Sequence, residues 1–489
     1  MNVKRIALIC CFVAAIRVFL FSAAFPFFNN VDEQAHVDLV LKYARGAPPR
    51  SVENFGAESA NYFALYSSPE YFMKPEQYGG NYPAPNWTLS PNDRDRLLAQ
   101  EVPAWQSRPN HESGEPPLYY ALAGMWMNLG RVFGFDGALL LYWVRFLNAF
   151  FAAALIWTGY RIAVALFEDR QLPVIAVAAL LAVWPQSALY SVQSDALSPL
   201  CFAAALLAFV RLWPMQPPRV ILGAFVGLGV AATCLTKTAN LPLLFVVLLA
   251  MLLLLARDRM SRHALLAFVA FLFCVAIPLG CWFAWNLHTF GDFTASRAKI
   301  DMLGWTRKPI GDWWSHPIFS FAGATHFFSE LIASFWRGEF IWHGERLAST
   351  AADTFFAIPS GVLFLAAIAS LFARNVTNAP RQILWTCALS FAALVAFLVL
   401  LSVAFDFGDC PHPSRENPYF TSGRLLNAAA IPFFLLCAQA LDWLGRITKR
   451  DWLAPILLTA IVITALVAQI PVNATAFASR YNFFHLLAR

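Results

Sequence analysis

Charge is what this chain has least of. Asp, Glu, Lys and Arg make up only 13% of its 489 residues, against about a quarter in a soluble domain. That scarcity excludes an ordinary water-soluble globule. The nine cysteines include no Cys-x-x-Cys pair, and all but Cys410 fall in or beside apolar segments. A disulfide framework and a thiolate metal centre are therefore excluded. A Gly-rich Lys-Ser/Thr phosphate loop, a Gly-x-Ser-x-Gly elbow and a His-Glu-x-x-His pair are all missing. Their absence argues against an ATP-driven pump, a serine hydrolase and a zinc peptidase.

What is present is apolar. Hydrophobic residues reach 59%, with 45 phenylalanines. Runs at 6–28, 139–166, 172–191, 195–213, 219–236, 240–256, 264–286, 355–373, 383–405, 424–444 and 452–470 are each long enough to span a bilayer. The first follows Lys4-Arg5 and is read as an uncleaved span rather than a signal peptide. A further stretch, 118–134, is shorter and carries Tyr119, Tyr120, Asn128 and Arg131.

Charge bias decides how 118–134 is read. If it lies along the interface, the inner loops hold Lys4, Arg5, Arg161, Arg170, Arg211, Arg219, Arg257, Arg259, Arg262, Arg374, Arg381, Arg446, Lys449 and Arg450. They then hold only Glu168, Asp169, Asp258 and Asp451 as acids. A crossing would turn the later basic loops outward, so the positive-inside bias predicts eleven crossings, with 118–134 an interfacial helix or, equally, a re-entrant segment. The net charge of +6 follows from those loops and implies no nucleic-acid partner.

This topology predicts an all-α polytopic membrane protein. Residues 1–286 form a first transmembrane module with an outer loop, 29–117, and the interfacial helix, 118–134. A second outer loop follows at 287–354, then C-terminal spans at 355–489. The first loop carries twelve acids against seven bases, and its start, Val31 to Arg45, reads as a short helix. The second loop is rich in tryptophan, at 305, 313, 314, 336 and 342, as suits the headgroup level.

Four groups of residues on the outer side carry candidate chemistry. Asp32, Glu33 and His36 share one face of a short helix, where a carboxylate serves equally as a general base or as a helix cap. Ser194-Asp195 lies between spans and holds an acceptor, a metal or the next helix start. Lys237 and Arg424 sit at outer span ends, against the charge bias; phosphate binding and snorkelling both account for them. His111, Glu115 and Tyr119 lead into the interfacial helix, and His288 stands at the edge of the second loop; these are candidate substrate contacts. Trp285-Asn286-x-His288 and His343-Gly344-Glu345 are polar and near the membrane, without metal-ligand spacing.

In order along the chain, Asp32-Glu33-x-x-His36, Pro116-Pro117-Leu118-Tyr119-Tyr120, Ser194-Asp195-Ala196-Leu197, Thr236-Lys237 and Ser422-Gly423-Arg424-Leu425 form a string of motifs over residues 1–440. That string resembles the GT-C glycosyltransferases, the superfamily of protein O-mannosyltransferases and the lipid A aminoarabinose transferase. The resemblance implies transfer of a sugar, with inversion, from a polyprenyl-phosphate carrier to a glycan, lipid or protein acceptor outside the cytoplasm. It implies a bacterial inner-membrane location with the N-terminus cytoplasmic. It places Asp32 and Glu33 at the catalytic position, Asp195 and His36 in the acceptor or metal region, and Lys237 and Arg424 on the donor phosphate. It names no certain cofactor and leaves a divalent metal open. Two departures stand out: Leu425 follows Arg424 where relatives often carry Tyr, and Thr238-Ala239 follows Lys237 where they often carry proline. From the residues alone, a transporter or lipid flippase and a non-catalytic envelope-assembly protein also stand open. A mid-membrane acid opposite Arg17 or Arg145 would favour transport.

Overall fold

The computed structural model describes residues 2–168, 170–373, 378–410 and 412–487. Asp169 and Arg374, two members of the inner-loop charge tally, lie outside the described residues. The protein is helical, as the apolar runs predict. Among the described residues nine helices are long and apolar enough to cross a membrane: Val3–Ala24, Gly137–Phe167, Ser194–Leu212, Thr238–Arg257, Arg262–Phe290, Thr350–Phe372, Pro380–Ala404, Gly423–Thr448 and Leu453–Phe477. Two shorter apolar helices, Gln171–Val183 and Val220–Cys234, occupy the remaining predicted runs.

One of those runs departs from expectation. Helix was expected across 172–191, but it stops at Val183 and the chain runs irregularly to Leu197, broken by 3-10 turns at Ser187–Tyr190 and Ser194–Ala196. Non-helical backbone at membrane depth persists only where protein groups satisfy it. Here Arg17 donates to the Trp184 carbonyl at 2.7 Å, Asn30 to Ser187 O at 3.1 Å and Asn148 to Ser191 O at 2.7 Å. Arg17 thus serves as a donor to carbonyls, Tyr190 Oη and Gln469 Oε1. No carboxylate pairs with Arg17 among the described residues; Arg145 does meet an acid, Glu33, which opens the helix Glu33–Ala44 of the first loop rather than lying within a span.

The stretch 118–134 forms the helix Leu118–Val132. It packs against the helix Glu33–Ala44 and the start of Gly137–Phe167. Gly124 permits the first contact: a Cβ there would stand 2.8 Å from the Ala44 nitrogen. Trp126 and Trp143 secure the second, their rings stacked with centroids 4.3 Å apart and each indole donating to the other's carbonyl at 2.8 Å. Arg145, two turns into Gly137–Phe167, bonds the carbonyls of Ser22, Phe25 and Pro26 at the end of Val3–Ala24. The first long helix therefore ends where the second begins, and Leu118–Val132 packs beside that second helix.

The large loops gather at this same end. Residues 29–117 fold into a lobe containing the helices Ala57–Tyr66 and Pro91–Gln106. The second loop supplies the helices Ser296–Met302 and Phe321–Arg337 and a small hairpin pairing Ile341–Trp342 with Glu345–Arg346. The C-terminal segment returns to the lobe, where Ser479 donates to Glu70 at 2.6 Å and Tyr481 to Pro83 O at 2.7 Å. The opposite end carries the pairs Arg170–Asp442, at 2.6 Å, and Arg446–Asp442, at 2.6 Å.

Candidate functional site

Asp32 stands at the junction of these elements. Its backbone is left-handed, with φ of +65°, a conformation that asparagine and aspartate tolerate best after glycine. Both sides of the turn are pinned. Val31 N donates to Glu339 O at 3.3 Å and Ile341 N to Asn29 O at 2.7 Å, while Arg424 Nη1 reaches Val31 O at 3.2 Å. Asp32 precedes the helix Glu33–Ala44 yet makes no side-chain cap bond. Its carboxylate points elsewhere: Oδ2 accepts from Arg424 Nη2, and Oδ1 lies 3.1 Å from His111 Nε2.

Glu33 faces the other way. It is buried and forms a two-pronged pair with Arg145, Nε–Oε1 at 2.7 Å and Nη2–Oε2 at 2.6 Å. It also accepts from Phe28 N at 2.9 Å and Val192 N at 3.0 Å. This carboxylate ties the first helix, the irregular 184–197 segment and Gly137–Phe167 together, and so supports Asp32 from behind. His36 is buried with Nδ1 2.7 Å from Tyr120 Oη. Burial, and then the charge of Lys237, press its pKa down to about 3, so the ring is neutral.

From Asp32 a chain of charges runs through partly exposed His111 and Lys299 to buried Glu112, Lys237 and Asp195. His111 Nε2 is also 3.4 Å from Glu112 Oε1, Glu112 meets Lys299 at 2.7 Å, and Lys299 lies 3.7 Å from Glu115. Glu115 is 3.9 Å from Lys237, which is 3.5 Å from Asp195. Burial opposes charge on His111, but the bonds to Asp32 and Glu112 prevail and raise its pKa to about 9. Asp32 is held well below the carboxylate range: burial pushes up, and Arg424 and His111 overcome it. Glu115 is pushed up to about 7 by burial, with Glu112 beside it. On the far side of Arg424, Glu339 binds Nε at 3.0 Å, accepts from Ser422 and pairs with Arg346 at 3.3 Å.

The structure thus brings Asp32, His111, Glu115, Asp195, Lys237 and Arg424 into one network. Glu112, Lys299 and Glu339 join it without having been singled out in the sequence. Tyr119 is buried with Glu33, Gln193 and Asp195 as polar neighbours. His288 is exposed near the end of Arg262–Phe290 and shares no bond with the network among the described residues. Gly291 ends that helix, and it is Lys299, further along the loop, that reaches the cluster.

A cleft of about 360 Å³ reaches Glu115, lined by Tyr43, Pro117, Cys281, Trp282 and Trp285. A divalent cation has a matching donor set elsewhere in the cluster. One ligand atom each from Asp32, His111 and Glu112 lies within 4.8 Å of the others, and Glu112 Oε2 is buried without a hydrogen-bond partner. Two carboxylates and an imidazole suit Zn²⁺ or Mn²⁺.

Fold and cluster together define a polytopic membrane protein with a buried charged centre at the loop-rich end of its helices. The chain belongs to the family described as "Predicted membrane protein (DUF2142)", whose model matches residues 15–411. No curated protein matches it by sequence. Among solved structures it is similar to the crystal structure of the Archaeoglobus fulgidus oligosaccharyltransferase in complex with Zn and sulfate. Identity there is 13% and the TM-score 0.48, over 95% of this chain and 53% of that one. It is likewise similar to archaeal oligosaccharyltransferase AglB from Archaeoglobus fulgidus in complex with an inhibitory peptide and a dolichol-phosphate, with 13% identity and a TM-score of 0.45 over 96% of this chain and 55% of that one. The chain spans about half the length of these proteins.

Proposed function

We propose that this protein is a GT-C-type glycosyltransferase that moves a sugar from a polyprenyl-phosphate donor to an acceptor on the extracytoplasmic face of a bacterial inner membrane, with its N-terminus in the cytoplasm. The observation that carries the reading is the pairing of Asp32 with Arg424, continuous through His111, Glu112, Lys299 and Glu115 with Lys237 and Asp195. The reading requires a base beside a fixed cation, with further cations within one buried centre.

The electrostatics suggest an order of events. With Arg424 against it, Asp32 is too acidic to accept a proton well. A phosphodiester arriving at Arg424, Lys237 and Lys299 competes for the guanidinium, because charge-assisted contacts to phosphate are strong. Asp32 then loses its strongest neighbouring cation, and its proton affinity climbs. The acceptor hydroxyl oxygen attacks the anomeric carbon and gives its proton to Asp32. The bond from that carbon to the phosphate oxygen breaks, and its electron pair leaves with the carrier phosphate. Cations fixed where that charge grows lower the barrier.

In this scheme Glu33 positions Asp32 through Arg145 and does not touch the reactants. His36, neutral and held by Tyr120, borders the acceptor side with Asp195. The cleft at Glu115 gives a lipid-borne donor a route to the charged centre. A divalent cation, where used, would be held by Asp32, His111 and Glu112 and would supply Lewis-acid polarisation of an oxygen. The reading is tested with the purified chain in vesicles containing labelled polyprenyl-phosphate sugar and membrane-derived acceptors. Release of free polyprenyl phosphate is expected from the wild type and not from Asp32→Asn. Equal release from both would remove Asp32 as the base.

A further inference from the structure

A second and larger cavity, of about 740 Å³, lies outside the charged network. It is bounded by the first-loop lobe, the hairpin at 341–346 and the C-terminal segment. Its volume falls in the range of small-molecule sites, about 300–1,000 Å³. Aromatic side chains line it: Tyr82, Trp87, Trp342 and His343. Glu70 is the one carboxylate in the lining, and the hydroxyls of Ser68, at 2.8 Å, and Ser479, at 2.6 Å, both donate to its Oε2. Arg480, the one arginine in the lining, bonds the Tyr82 carbonyl at 3.4 Å. A cavity with aromatic faces, amides and hydroxyls, and without a cluster of cations, suits a neutral polyhydroxylated ligand rather than a phosphate.

The wall of this cavity is strained and clamped. His343 has φ of +56°, in the left-handed region that a non-glycine residue seldom adopts. Its N–H donates to Glu70 O at 2.8 Å and Gly344 N to Tyr71 O at 2.7 Å, while its Nε2 lies 2.7 Å from Tyr82 Oη. The same wall borders the charged centre. Glu70 turns toward the cavity, while the next residue, Tyr71, is close enough to feel the charges of Asp32 and Arg424. The hairpin that carries Trp342 and His343 also carries Arg346, which binds Glu339 beside Arg424.

We infer that this cavity is a saccharide-binding subsite that holds the body of a glycan acceptor while its reacting hydroxyl reaches Asp32. The inference rests on the transferase reading and names the acceptor class for it. Trp342 and Tyr82 offer ring faces to the C–H surfaces of sugar rings, and Asn81, Thr88 and His343 offer polar groups to hydroxyls. Binding energy gathered at such a remote subsite orients the reacting hydroxyl.

The test is calorimetric titration of the full chain in nanodiscs with the neutral tetrasaccharides of cellulose, amylose, α-mannan and chitin, and with an uncharged peptide as a control. At least one saccharide is expected to bind saturably to the wild type and equally to Asp32→Asn. Its affinity should fall at least about tenfold in Trp342→Ala. It should fall equally in Thr88→Trp, which fills the cavity from an exposed position and gives up only the Thr88 Oγ1 bond to Pro85 O at 2.6 Å. No saturable binding of any saccharide, equal binding in both cavity variants, or binding of the peptide alone would each overturn the inference. Sugar transfer from a polyprenyl-phosphate donor without saccharide binding here would overturn the subsite and leave the transferase reading standing. Saccharide binding without transfer would do the reverse.

Discussion

Replacing Glu33 with Gln removes the only carboxylate paired with Arg145 among the described residues. The two side chains are 0% and 1% exposed, so solvent does not compensate the loss. Arg145 keeps its bonds to the carbonyls of Ser22, Phe25 and Pro26 and its place 4.5 Å from the Phe27 ring centroid. Those partners are neutral, and the guanidinium is left as an uncompensated buried charge. Breaking such a pair from one side costs about 3–5 kcal/mol. Removing both charges in Glu33→Gln/Arg145→Met costs less than the single change, because no charge remains to be buried. Thermal unfolding of the detergent-purified chain, followed by fluorescence-detected gel filtration, reads both effects. The single variant should unfold well below the wild type and the double variant between them. A Glu33→Gln midpoint equal to wild type, or a double variant no more stable than the single, would refute the assignment of Glu33 as the tie behind Asp32.

Further outcomes follow from the same contacts. Gly423→Ala would place a Cβ 2.0 Å from the Phe335 nitrogen; overpacking of that kind costs about 1–3 kcal/mol, read as a lower unfolding midpoint and displacement of the neighbouring Arg424. The His111 pKa of about 9 stands above its ordinary value of 6.5. Its charge therefore stabilises the fold fully below pH 6.5, and that contribution disappears as pH rises through about 9. The gap in unfolding midpoint between wild type and His111→Gln should accordingly narrow from about pH 6 to pH 10. Lys299→Met should raise the donor KM about tenfold, equivalent to about 1.4 kcal/mol, with kcat nearly unchanged if Lys299 only helps hold the phosphate. Cys281→Trp, in the cleft at Glu115, should slow donor capture and leave hydroxyl acceptor affinity as it was.

Much of the fold was legible because a bilayer imposes one coarse rule, that apolar runs of sufficient length become helices. The stretch 118–134 was legible as a helix from its apolar residues. The failure at 172–191 has a physical cause. Hydropathy registers Trp184, Ala188, Leu189 and Tyr190 as span-like, but it cannot register that Arg17, Asn30 and Asn148 would satisfy an unwound backbone from three other segments.

The site divides in the same way. Asp32, Asp195, Lys237 and Arg424 carried signals in the sequence, through motif order or through standing against the charge bias. Glu33 stands next to Asp32, but successive residues at a helix start point in different directions, and its carboxylate meets Arg145. Arg145, a charge inside an apolar run, was the available clue to where Glu33 goes. Glu112 sat between two flagged residues, His111 and Glu115, and could have been read with them. Lys299 and Glu339 had no local signal, because their partners lie in the first loop and in the 422–424 segment.

The measurement that tests the central claim most directly separates donor binding from turnover, with binding of labelled polyprenyl-phosphate sugar and its conversion followed in the same vesicles. Asp32→Asn should bind the donor at least as tightly as wild type, since Arg424 is freed for the phosphate, and should lose turnover by about 10²–10⁴-fold. Lys237→Met should lose binding. Turnover by Asp32→Asn at the wild-type rate, or failure of the wild type to bind any polyprenyl-phosphate sugar, would contradict the account.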